Sequence, residues 1–344
     1  MTVPASLPAS GIALYSLPIA IVVAAVLDRT VAEPPVAVHP IALLGRVIEP
    51  IDDQYQSSFS VGILAAIVLP IGFATVFVAT TAVVGAVSPV AAPIVVGVLL
   101  FSLFSHRMLI DTAAEVVGLI DDDLDAARVE LRALAGRDAE TLSAGELRSA
   151  AIESAAENLA DGLVAPLGAF AVVGFLVQWY AVGAVDAVGS IGTGPIAIGV
   201  LPLSAGIAAA AWVKAVNTLD SMLGYPEKRV GTASARLDDV VMWFPARIAA
   251  AFISLAVPSP DPLLAGRRWA NRPPSPNSGW PMATIAAALH VKLEKPGAYV
   301  LNDLGQLPTH DEADRGVSLA SRAGWLFIGA CVLVTAIGTP SGAI

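Results

Sequence analysis

"AENLADGLVAPLG", residues 156–168, begins like a soluble active site and ends like a membrane helix. Glu157, Asn158 and Asp161 crowd its start, and no residue from Leu163 to Val185 is charged. On a helix Glu153, Glu157 and Asp161 fall at i, i+4 and i+8. They form one acidic stripe that repels itself unless cations, a metal or ammonium groups sit opposite. On an ordinary surface helix such a stripe is a solvated face. At the entrance to a membrane span ionisable groups are costly, and the stripe points to function.

The rest of the chain fits that setting. Of its 344 residues 56% are hydrophobic and 14% charged, against roughly 45–50% and about 25% in soluble domains. Mean hydropathy is +0.74. This is the balance of a polytopic membrane protein with sizeable polar loops. A formal charge of −10 argues against nucleic acid as a partner. The single cysteine, Cys331, excludes an intrachain disulfide and reads as a small buried hydrophobe. Residues 1–27 lack the basic start of a cleavable signal and read as a retained first span.

Uncharged stretches at 5–27, 61–104, 163–185, 187–213 and 323–344 accommodate about six crossings of about 20 residues each. The expected spans lie near 5–27, 61–85, 90–104 (extending at most to 110), 163–185, 195–213 and 323–343. The fold class is therefore all-α, a single integral membrane domain over 1–344. All 19 Lys and Arg fall in three segments, 2 in 28–60, 5 in 105–162 and 12 in 214–322. Six spans put these segments on one side, which the positive-inside rule makes cytoplasmic, with both termini outside. The expected location is the cell membrane, multi-pass, with cytoplasmic loops forming the active site.

Within those loops, residues 115–138 read as one soluble helix ended by Gly136. Residues 143–162 read as a second helix, with Ser143 and Glu146 as a capping box. Gly162 and Pro166 suggest a break or bend where it meets the bilayer, with Pro166 as a tolerated kink within the helix the alternative. The run "IAAAFISLAV" (248–257) is too short to cross and suits an interfacial or re-entrant position. Segment 258–322 reads as structured loop with one short helix in "WPMATIAAALHV" (280–291).

Four polar clusters could carry chemistry, and all lie in the polar segments. "EPPVAVHPIALLGR" (33–46) offers Glu33, His39 and Arg46 on a proline-stiffened loop. The acidic stripe is the second. In the third, residues 214–247, Lys214, Asn217, Asp220 and Ser221 are followed by Arg236, Asp238, Asp239 and Arg247. Paired acids beside cations suit magnesium and phosphate, since carboxylates hold Mg²⁺ and arginine clamps phosphate bidentately. "NRPPSPNSGWPMA" (271–283) contributes Asn277 and Ser278, and "EADRGVS" (312–318) adds Asp314 and Arg315. There is no P-loop and no nucleophile elbow. The glycine-rich "GSIGTG" (189–194) reads as a hairpin tip. His39, His106, His290 and His310 have no zinc spacing.

"HPIALLGR" (39–46), "ESAAENLADGLVAPL" (153–167), "KAVNTLDSMLGY" (214–225), "SARLDDVVMWFPAR" (234–247) and "SPNSGWPMA" (275–283) closely resemble the adenosylcobinamide-phosphate synthase family of cobalamin biosynthesis, the CbiB/CobD type. The blocks come in the family's order between about residues 27 and 322. The resemblance implies a multi-pass ligase that uses ATP and Mg²⁺. It would join (R)-1-amino-2-propanol, or its O-phosphate, to the propionate carboxyl of adenosylcobyric acid. The corrinoid is then a substrate rather than a prosthetic group. Further partners are the lipid bilayer and either a second copy of the chain or other membrane enzymes of cobalamin assembly.

Activating a carboxylate through an acyl phosphate calls for Mg²⁺ and cationic clamps rather than a nucleophilic side chain. We assign catalysis to Glu157, Asp161, Asp220 and Lys214. Substrate and phosphate binding falls to His39, Arg46, Asn158, Asn217, Ser221, Arg236, Asp238, Asp239, Arg247, Asn277, Ser278 and Arg315. The expected Mg²⁺ ligands are Glu153, Glu157, Asp161 and Asp220. Three departures stand out, one of them a stretch between Pro166 and Lys214 that is longer than the family's usual form. The family's Gly-Asp-Pro appears as Ala32-Glu33-Pro34, and its Asn after the Asp-Asp pair as Met242. A transporter would carry its acids within the apolar runs, and here they lie outside them. A non-catalytic scaffold or sensor would have no need to keep the charged motif residues.

Overall fold

Runs of Ala, Val, Leu and Ile too long for a soluble helix dominate the computed structural model, which describes residues 15–135, 139–188, 195–258 and 261–337. The helices are α1 (Ser16–Val31), α2 (Pro40–Tyr55), α3 (Phe59–Val87), α4 (Ala92–Phe101), α5 (His106–Asp122), α6 (Leu124–Ala135) and α7 (Ala144–Leu159). A π-helical turn (Ala160–Val164) leads into α8 (Ala165–Val188) and then α9 (Pro195–Leu223). A 3₁₀ turn (Arg229–Gly231), α10 (Thr232–Val241), α11 (Trp243–Leu255), α12 (Asp261–Gly266) and α13 (Gly279–Leu289) follow. Strands β1 (Leu293–Lys295) and β2 (Tyr299–Leu301) precede α14 (His310–Ile337).

Five helical stretches among the described residues are long and apolar enough to cross a membrane: Phe59–Val87, Ala92–Asp122, Ala144–Tyr180, Gly199–Leu223 and His310–Ile337. With α1, this is the all-α polytopic architecture that the uncharged stretches predict. The helix boundaries differ from the charge boundaries in several places. Helix α9 continues past residue 213 to Leu223 and so carries Lys214, Asn217, Asp220 and Ser221 itself. The final helix begins at His310, which places Asp314 and Arg315 on helix rather than loop. Thr309 and Glu312 cap it reciprocally, with Thr309 N donating to Glu312 Oε2 at 2.9 Å.

The expected single helix over 115–138 is two. Asp123 ends α5 and accepts from Ala126 N at 3.0 Å, starting α6 afresh. Gly136 and the "GSIGTG" tip lie outside the described residues. No break occurs at Gly162 or Pro166: the chain stays helical through the π turn, which absorbs one extra residue. The expected capping box is present, with Glu146 Oε2 accepting from Ser143 N at 2.7 Å. Segment 258–322 holds more structure than one helix, namely α12, α13 and a β-hairpin pairing Leu293 with Leu301.

Packing divides the chain into two compact units. The first comprises Met1–Phe104, Pro166–Asp238 and Ile328–Ile344, and the second Ser105–Ala165 and Asp239–Phe327. In the first, α3 packs on α9 and α1 on α4. Small residues permit close approach, as membrane helices require: a Cβ on Gly97 would lie 2.8 Å from Ala20 O. One face of α2 buries Leu44 and Ile48 against Ala215, Leu219 and Leu223 of α9, with Val230 completing the cluster. In the second unit α7 is buried nearly all round by α5, α6, α13 and β1. Ser149 Oγ on α7 accepts from Glu294 N at 2.8 Å, which ties the hairpin to the helix.

Candidate functional site

The second unit brings several of the predicted residues onto elements that pack together. Helix α11 packs on the π turn and on α13, and α13 packs on α7. The Arg247 side chain on α11 is half-buried between two indoles, its guanidinium carbon 4.1 Å from the Trp243 ring centre and 4.8 Å from that of Trp280. Nη1 of Arg247 donates to Trp243 O at 2.7 Å and to Asn277 Oδ1 at 3.1 Å. The Asn277 amide donates in turn to Asp239 O at 2.8 Å. Ser275 Oγ accepts from Asn277 N and Ser278 N, which fixes the turn leading into α13. Burial lowers the Arg247 pKa, although a guanidinium stays charged in any protein.

The acidic stripe is split by burial. Glu153 is fully buried and accepts from Tyr299 Oη at 3.3 Å, which joins α7 to β2. Glu157 and Asp161 are partly exposed, with Asp161 on the π turn. Asn158 Nδ2 donates to Leu134 O at 3.5 Å, near the end of α6. Arg315 pairs along its own helix, 3.8 Å from Glu312 and donating to Asp311 O.

The first unit gathers a second polar group. Asn217 Nδ2 donates to Asp238 Oδ1 at 3.5 Å, and Ser221 Oγ donates to Asn217 O at 2.9 Å. Gly224 packs so closely on Asp220 that a Cβ there would meet Oδ1 at 1.9 Å. Lys214 acts electrostatically on both Glu33 and His39. Burial raises the Glu33 carboxyl above its usual range, and Lys214 draws it partly back. Burial lowers His39, and Lys214 lowers it further. His39 Nδ1 also accepts from Ile41 N at 3.2 Å as the N-cap of α2, beside Pro40 at the first helical position. Arg46 and Arg236 are exposed on α2 and α10.

Ala32 bears on the departure from Gly-Asp-Pro. Its φ of 71° and ψ of −63°, with Glu33 N donating to Val31 O at 3.1 Å, make a γ-turn of the strained kind. Glycine adopts that conformation without penalty, and this chain forces an alanine into it immediately before Glu33.

Among the described residues no group of three or more His, Cys, Asp or Glu side chains forms a preformed metal cage. Sequence reasoning missed Trp243, Trp280 and Tyr299, because isolated aromatics read as core or interface residues. It also missed the pair of Lys228 with Asp52, at 2.8 Å.

The CobD/Cbib protein family matches residues 21–323. A probable cobalamin biosynthesis protein CobD from Methanothrix thermoacetophila is 35% identical over 318 residues, covering 88% of this chain and 92% of its own. Its counterpart from Methanothermobacter thermautotrophicus is 32% identical, covering 82% and 86%. A cobalamin biosynthesis protein CobD from Dehalococcoides mccartyi is 34% identical, covering 81% and 85%. No solved structure matches. With the match running through both units and nearly every polar cluster, the chain belongs to the CobD/Cbib protein family.

Proposed function

We propose that this chain acts in cobalamin biosynthesis as an ATP-dependent amide-forming ligase. It joins (R)-1-amino-2-propanol, or its O-phosphate, to the propionate carboxyl of adenosylcobyric acid. Family membership supports the pathway, and one observation carries the chemistry. Arg247 is held as a fixed cation on a helix packed against the π turn that bears Asp161. Carboxylate activation needs such a preorganised charge.

The propionate oxygen attacks the γ-phosphorus of ATP, ADP leaves, and an acyl phosphate forms. The amine nitrogen then attacks the acyl carbon, phosphate leaves, and the amine proton passes to a carboxylate. In this reading Arg247 receives phosphoryl oxygens, Glu157 takes the proton, and Asp161 would hold Mg²⁺. Bound Mg²⁺ supplies shielding of phosphate charge. Lys214, Asn217, Asp220 and Asp238 form the first unit's own polar cluster and are tested separately, by Lys214→Met. Following the positive-inside bias, we place the cation-bearing segments at the cytoplasmic face of the cell membrane.

The test incubates purified protein with adenosylcobyric acid, Mg²⁺-ATP and each amine, and weighs the corrinoid product. The expected gain is the mass of the amine less water, dependent on ATP. Asp161→Asn should slow it about 100-fold or more. No ATP-dependent gain with any amine overturns the proposal.

A further inference from the structure

The Arg247 sandwich leaves donors over. Its guanidinium has five N–H bonds, and both protein acceptors, Trp243 O and Asn277 Oδ1, lie on Nη1. Among the described residues Nε and Nη2 donate to no protein group. The indole Nε1–H of Trp280, the ring on which Arg247 stacks, is buried with no partner among the described residues. Leaving a buried donor unmade is expensive, and buried indole N–H groups ordinarily find an acceptor. The two groups stack, with the guanidinium carbon 4.8 Å from the Trp280 ring centre, so a charged donor edge and a neutral buried donor belong to neighbouring side chains. Acceptor-only chemistry satisfies both at once.

We infer that Trp280 Nε1 and the Nε/Nη2 edge of Arg247 form a binding site for a phosphoryl group, with Trp243 and Trp280 as positioning residues that hold the guanidinium flat. A tetrahedral phosphoryl group offers several acceptor oxygens, which can take the arginine edge and the indole N–H together. The two rings fix the plane of the guanidinium, and Asn277, itself anchored on Asp239 O, fixes its rotation within that plane. The inference rests on the ligase reading for its choice of ligand. The phosphoryl group has two sources there, the nucleotide and the O-phosphate of the amino-alcohol.

Equilibrium binding on the intact protein in nanodiscs separates these sources and needs no turnover. The ligands are a non-hydrolysable ATP analogue, aminopropanol O-phosphate and unphosphorylated aminopropanol. Trp280→Phe keeps an aromatic face while removing the pyrrole ring with its N–H, and Arg247→Lys keeps the charge and deletes the fork. We expect Trp280→Phe to weaken one phosphorylated ligand about tenfold and Arg247→Lys to weaken the same ligand at least as much. Binding of unphosphorylated aminopropanol should not change. The ligand that loses affinity names the source. Ligand-free melting temperature guards against misfolding, and Trp280→Phe must melt within a few degrees of the parent for its titration to be read. If it does not, Arg247→Lys decides alone. Unchanged affinity for both phosphorylated ligands overturns the site, as does equal weakening of aminopropanol. Selective weakening in a protein that makes no amide supports the site and sinks only the ligase reading.

Discussion

Helix α3 of the first unit and helix α7 of the second are both rich in alanine, yet they come to rest in opposite surroundings. Along α3 the small residues Gly62, Ala65, Ala66, Ala74 and Gly85 are buried, while Leu64, Ile67, Ile71, Val76 and Val83 stand exposed. This is the inverse of a soluble helix, and it is what lipid contact permits, because packing there relies on close approach rather than on hiding large apolar groups. Along α7 almost everything is buried, including the Glu153 carboxylate, as in a water-soluble core. Large apolar side chains thus face outward along α3, whereas along α7 they face other protein groups. Backbone fit is probed best in the first unit, at Gly231, and side-chain pairing in the second, at Glu153.

The largest effect should come from breaking backbone fit. A Cβ at Gly231 would lie 1.7 Å from Leu223 O and 2.9 Å from Gly224 Cα, both backbone atoms that cannot step aside. Gly231→Ala is expected to cost more than about 4 kcal/mol, read as loss of monodisperse, protease-resistant protein after extraction. A wild-type yield would show that the first unit does not depend on that contact. In the second unit the matching probe is Glu153→Ala, which leaves a hole and removes the carboxylate that accepts from Tyr299 Oη. Thermal unfolding should report a loss of about 3 kcal/mol, with Glu153→Gln losing less because it can still accept from Tyr299.

Ala32→Gly should act the other way and stabilise the protein by about 1 kcal/mol, since glycine accepts the φ of 71° without strain. An unchanged or lower melting temperature would remove strain from the account of that turn.

The smallest effect is a pH dependence. The Glu33 carboxyl is raised above its usual 4.5, so the folded state holds its proton longer than the unfolded one. Stability therefore falls as pH rises from 4.5 through the raised value, and Glu33→Gln abolishes that fall. His39, lowered below 6.5, works oppositely. It withdraws stability as pH drops from 6.5 toward its folded value, and His39→Ala should flatten that limb. Melting curves across pH 4 to 8 test both signs.

Much of the fold is legible residue by residue because its signals are local. Ser143 with Glu146 announces α7, and uninterrupted apolarity announces α3 and α9. Thr309 with Glu312 carries the same capping signature and would have placed the start of α14, yet charge counting alone draws the boundary at the last arginine. The split at Asp123 was hidden because helical spacing continues on both sides of it. The π turn was hidden because glycine and proline usually signal breaks. Asn217 meets Asp238 within the third sequence cluster, while Arg247 of that cluster meets Asn277 of the fourth, which no clustering along the chain announces. Trp280 joins Arg247 from 33 positions along the chain, a distance that no spacing rule reaches.

The sequence by itself determined the membrane class, the family and the polar clusters from which the candidate site is built. Hydropathy, charge bias and motif order are written along the chain and need no partner to be read. Only the tertiary structure decided that Glu153 is a buried support and that two indoles stack on Arg247. Each of these depends on which distant side chains remove water from one another, and burial and pairing are properties of contacts rather than of residues.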